Sequence, residues 1–178
     1  MRKPRVLPIA ITVIATAVLL FGGFALYKGM VVAAPLADKL EKMSGVTEAR
    51  KPEIGQKEVT VKLELTPHAN LRETYGNVMK EATAAAGGKK VNVQLENEEN
   101  EGLEQIWYGA MFEIAEAMET KAYSDIPDAM DRAVAGKDGV TVETEMDETN
   151  VYITIRSEQE AAAKYVVLPR TPNTLGVW

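Results

Sequence analysis

The sequence predicts an α+β chain, with one N-terminal transmembrane helix followed by a two-layer α/β sandwich whose sheet is mixed and mostly antiparallel. Three observations predict it. Residues 6 to 27 contain no charged residue. Beyond them, segments alternating strictly between apolar and polar residues mark half-buried strands. Between those lie longer segments with apolar residues at helical spacing.

The first segment reads MRKPRVLPIAITVIATAVLLFGGFALYKG. A helix over residues 6 to 27 is about 33 Å long at 1.5 Å per residue, enough for a hydrocarbon core of about 30 Å. Tyr27 and Lys28 suit the far interface, and Pro8 stands near the entry, where a helix tolerates it. Small residues around Gly22 and Gly23 do not extend into a packing seam. A cleaved signal peptide is the rival reading, since VVAAPLA offers small residues near Ala34. The apolar stretch exceeds the usual ~7–15-residue signal core, and Pro35 would directly follow the cut. Arg2, Lys3 and Arg5 place residues 1 to 5 in the cytoplasm and the rest outside. Lys28, Lys39 and Lys42 on the opposite flank weaken that bias.

Residues 28 to 35 are expected to be a tether and residues 36 to 168 one folded domain, with an extended tail over 169 to 178. About 140 residues is the size of an ordinary domain with a real core. No cysteine is present, so neither disulfides nor a cysteine metal site enter. All 26 acidic residues lie at or beyond Asp38, whereas four of the 20 basic ones precede it. Those 26 against the remaining 16 leave a net charge of −10, which phosphate backbones repel. Nucleic acid is therefore not an expected partner.

Leu36, Leu40 and Met43 form a short helix that Gly45 stops. VTEAR is a short strand, and Pro52 and Gly55 mark a turn. EVTVKLEL alternates through Val59, Val61, Leu63 and Leu65. A helix follows, capped at Thr66 or at Asn70 with Glu73, lined by Leu71, Tyr75, Val78, Met79 and Ala82, and ended by Gly87 and Gly88. KVNVQLE is a further alternating strand. The second long helix runs from Gly102 to about Thr120, and Ser124 or Asp125 caps a shorter one that starts near Pro127 and ends before Gly136. GVTVETEM, NVYITIR and AKYVVLP close the domain as strands, the first two joined through Asp147 to Thr149. The tail PRTPNTLGVW is too rich in proline for a helix, leaving Trp178 to dock on the domain.

The stretch MSGVTEAR…EVTVKLEL resembles, at the level of fold, the opening of small ferredoxin-like and ring-building modules. The resemblance spans about thirty residues, carries no diagnostic motif and implies no activity.

Strands that alternate throughout imply one sheet face under helices and one in water. The wet face is expected to carry Thr60, Lys62, Glu64, Asn92, Gln94, Glu143, Glu145, Tyr152, Thr154 and Arg156. In the second long helix Leu103, Ile106, Trp107, Ala110, Met111, Ile114, Ala117 and Met118 gather into a core stripe, with Tyr108 and Phe112 beside it. Either the following helix folds back over those two aromatics, or they stay open to a partner. The first is the simpler expectation. Tyr108, Phe112, Tyr152, Lys62 and Arg156 are the candidate partner-contact residues.

No residue set points to catalysis, a cofactor or a metal. His68 stands alone, too few for a multi-histidine zinc site. Ser44, Ser124 and Ser157 lack a nucleophile-elbow context. Glu113 and Glu116 share a helix face, ENEENEG precedes a helix, and Asp125, Asp128 and Asp131 recur every third residue. Each pattern is usual for solvated charge or helix starts. No phosphate loop, G-x-G-x-x-G or H-E-x-x-H occurs. The expected function is a non-catalytic, single-pass, extracytoplasmic interaction domain or accessory subunit of a bacterial envelope complex, binding a protein or itself. A membrane-tethered, carboxylate-dependent hydrolase is the alternative.

Overall fold

In the computed structural model, residues 6–27 and 33–170 are described, the first helix with side chains only over 10–20. The expectations for the termini, for residues 28–32, for the surroundings of Pro8, Gly22, Gly23 and Tyr27, and for Trp178 lie outside the described residues. Helix α1 spans Val6–Tyr27. Among the described residues, no helix is long and apolar enough to cross a membrane. The structure therefore leaves the expected span unsupported.

The remaining elements are α2 (Ala34–Glu41), β1 (Val46–Ala49), β2 (Glu53–Ile54), β3 (Glu58–Leu65), α3 (Leu71–Ala85), β4 (Lys90–Glu96), α4 (Glu101–Thr120), α5 (Asp125–Val134), β5 (Val140–Met146), β6 (Asn150–Ser157) and β7 (Ala162–Pro169). Helix α2 begins inside the expected tether, with Pro35 in its first turn, where a missing N–H costs nothing. Of the two caps open to α3, Asn70 is used, its side chain accepting from the Glu73 N–H at 2.8 Å.

The single sheet expected from the sequence is two sheets. In the first, β3 is central: β1 and β2 pair with it antiparallel along one side, and β4 pairs with it parallel along the other. Val59, Val61, Leu63 and Leu65 point into a core with Leu40 of α2 and Leu71, Val78 and Ala82 of α3. Lys62 pairs with Glu53 at 3.0 Å on the opposite, wetter face. That half follows its sequence pattern.

The second sheet is an antiparallel meander, β5–β6–β7. It is covered on both faces, which corrects the one-sided expectation. Val151, Ile153, Ile155 and Ala162 face α4 and α5. Tyr152 and Tyr165 face the other way and join the core of the first sheet and α3. The Tyr75 and Tyr152 rings meet edge to face at 5.8 Å between centroids. Tyr165 and Arg156 on this inner face have their polar atoms hydrogen-bonded. Tyr165 Oη donates to the Thr66 carbonyl at 2.6 Å. Arg156 donates to the Pro67 and Ala69 carbonyls at 3.2 and 2.9 Å.

The two sheets do not merge. Where β4 ends, the Asn97 side chain takes the place of a strand: its Oδ1 accepts from the Tyr165 N–H at 2.8 Å and its Nδ2 donates to the Tyr165 carbonyl at 3.0 Å.

Candidate interaction surface

Helix α4 carries the most unusual surface. Asn100 caps it, its Oδ1 accepting from the Leu103 N–H at 2.9 Å. Lys121 ends it in the left-handed conformation, at φ 61°. Leu103, Ile106, Ala110, Ile114 and Ala117 form the buried face. Helix α5 lies along the neighbouring row, Ile106, Gly109 and Glu113, and Arg132 of α5 holds Glu113 in an ion pair. On the opposite flank Lys164 of β7 pairs with Glu104 at 2.6 Å.

Neither neighbour covers the outer face. Phe112 is 81% exposed and Tyr108 59%. The simpler expectation, that α5 would cover them, is therefore corrected. Residue 112 is one step of about 100° from 113, so a helix seated on the Glu113 row turns away from the Phe112 row. Met111, assigned to the core stripe from sequence, is 37% exposed. Tyr108, Met111, Phe112 and the exposed Ala115 stand at i, i+3, i+4 and i+7, one continuous apolar ridge. Its border is acidic: α4 contains five glutamates and no lysine or arginine. Glu104 and Glu113 are ion-paired, whereas Glu101, Glu116 and Glu119 have no ion-pair partner among the described residues.

The other three candidate contacts differ. Tyr152 is only 3% exposed, so it is a core residue rather than an open one. Its hydroxyl donates to Asp147 Oδ2 at 2.6 Å. Burial, then the bond to Asp147, pushes the Tyr152 phenol up to about 12. Burial works to raise the Asp147 carboxyl as well. Hydrogen bonds from Tyr152, both donors of Thr149 and the Asn150 N–H outweigh it and hold the carboxyl below its usual value. Arg156 spends its guanidinium on Pro67, Ala69 and Glu143, so it ties loops together. Lys62 remains at the surface beside Glu53.

Among the chemically interesting residues, Glu113, Glu116 and Asp125 share a shallow cleft of about 210 Å³ with Arg132. His68 lines a separate depression with Ser44 and Asn70. No group of three or more metal-ligating side chains converges among the described residues. Comparison with family models, curated proteins and solved structures gives no match to this chain.

Proposed function

We propose that this chain is a membrane-anchored, non-catalytic interaction domain whose contact surface is the outer face of α4. The anchor is residues 6–27, helical throughout and without a charged residue, with the N-terminus cytoplasmic and the domain outside. In this reading it serves as an accessory subunit of a bacterial envelope complex. The observation that carries the reading is the exposure of Tyr108 and Phe112 on a regular, well-capped helix. Full burial of one such side chain is worth about 1.5–3 kcal/mol, which a free surface forgoes. Exposed aromatic ridges with a charged border are typical of protein interfaces. The border is anionic, so the fitting partner is an apolar segment flanked by lysine or arginine. A second copy of α4 brings glutamate against glutamate and is disfavoured.

Phe112→Ala and Tyr108→Ala are expected to leave the melting temperature within about 2 °C, as surface changes do. They are also expected to abolish binding of a basic amphipathic peptide that the unaltered chain holds in a salt-dependent way. A fall of many degrees in either variant assigns the residue to the core and removes the surface. Topology is checked separately by placing the chain's only thiol at residue 98, Glu98→Cys, and labelling intact cells with an impermeant maleimide. Labelling only after lysis reverses the orientation.

The hydrolase alternative has one observation in its favour, the cleft shared by Glu113, Glu116 and Asp125. Glu113 is already engaged by Arg132, and His68 lies in another depression. Hydrolytic turnover that Glu116→Gln abolishes would revive it.

A further inference from the structure

A second feature lies away from the α4 ridge, where the end of α4 and the start of α5 meet the β5–β6 hairpin. Ile126, Met146 and Val151 wall a cleft of about 480 Å³, within the range of small-molecule sites. Two cations, Lys121 and Arg170, line the same cleft in a chain of net charge −6. Glu145 also lines it, but faces Arg72 at 3.6 Å.

Arg170 is held in a particular way. Its Nη1 donates to the Asp147 carbonyl at 2.7 Å. Its guanidinium carbon sits over the Tyr123 ring, 4.9 Å from the ring centre. Its Nε is buried and has no hydrogen-bond partner. An unpaired buried donor is costly and is kept only where the surrounding packing holds it. Nε is enclosed by the protein and out of a ligand's reach, and Nη1 is engaged by the Asp147 carbonyl, so the donor left for a ligand is Nη2. Nη2 and the Lys121 ammonium together suit an anionic oxygen group such as a carboxylate.

We propose that this cleft binds a small amphiphilic carboxylate. The carboxylate lies against Nη2 of Arg170, with Lys121 supplying further positive charge. The aliphatic part fills the space between Ile126, Met146 and Val151. The inference does not depend on the α4 surface, and either can fail alone.

The test uses the full chain in lipid nanodiscs, with octanoate as ligand and octanol as a control for partition into lipid. NMR follows the Arg170 Nε–H signal and the methyl groups of Ile126 and Val151. Octanoate is expected to shift these signals saturably, and octanol is not. Arg170→Lys keeps the charge but loses the Nη2 donor, and is expected to weaken octanoate about tenfold. Met146→Trp, at a residue 40% exposed on the cleft wall, is expected to block binding while leaving the charges in place. Equal shifts with octanol, or undiminished affinity in Arg170→Lys with its fold intact, overturn the proposal. Binding that appears only after Trp178→Ala assigns the cleft to the chain's own C-terminal residues and overturns it too.

Discussion

The two sheets use the same sequence device to different ends. In β3, EVTVKLEL, apolar residues face the helices and Thr60, Lys62 and Glu64 face the wetter side. In β6, NVYITIRS, the alternation is equally regular, yet Tyr152 and Thr154 are as buried as Ile153 and Ile155. The difference lies in what the polar side chains find. Lys62 meets only a surface glutamate, whereas Tyr152 meets Asp147 and Arg156 meets two loop carbonyls. A polar residue with partners waiting can form an inner face, and one without them must remain at the water.

Three substitutions would break or sharpen that contrast. The largest effect is expected at Ile153, fully buried against α4 and α5. Ile153→Ala should cost about 3 kcal/mol in chemical denaturation, the usual range for a truncated core side chain. An effect below about 1 kcal/mol would mean that α4 and α5 do not pack on the meander.

Tyr152→Phe comes next, with an expected loss of about 1–2 kcal/mol at neutral pH, because Asp147 keeps its burial but loses a donor. The sign of the pH dependence follows from the raised phenol. Stability from Tyr152 is fully present below its ordinary value near 10 and is lost as pH rises through about 12. The Asp147 contribution has the opposite sense, present above the ordinary carboxylate value and lost as pH falls through the lowered one. Denaturation midpoints measured from pH 9 to 12 should fall more steeply for the unaltered chain than for Tyr152→Phe. Parallel curves would mean that the hydroxyl is not buried against Asp147.

The smallest effect is expected on the wet side of the first sheet. Lys62→Ala should change stability by no more than about 0.5 kcal/mol, since an exposed ion pair contributes little. A larger loss would show that this face is covered too, and the contrast between the sheets would disappear.

Most elements of this fold were legible, because strand alternation and helical spacing report which side chains share a face. What covers a face is a different question. NVYITIRS says that Tyr152, Thr154 and Arg156 point the same way, but not that Tyr75, Pro67 and Ala69 lie opposite them, since those residues come from another part of the chain. The division into two sheets was equally hidden. At the junction one amide, Asn97, bonds to the Tyr165 backbone beyond the end of β4, and nothing in the sequence pattern of either strand announces that pairing. On α4 the excess of apolar residues was visible in the sequence. The side taken by α5 was not, because it is set by the turn at Lys121, a non-glycine residue in the left-handed region.

The bonds joining the two halves span great lengths of chain: 99 residues from Thr66 to Tyr165, and 89 from Pro67 to Arg156. A ribosome adding about 5–20 residues per second completes β3, α3 and β4 roughly 3–14 s before it reaches Tyr165. During that interval the side of α3 destined for Tyr152 and Tyr165 has nothing to rest on. Nascent chains of this protein therefore pass through a stage in which a half-finished core is open to chaperones, proteases and one another, and completing β6 and β7 ends it.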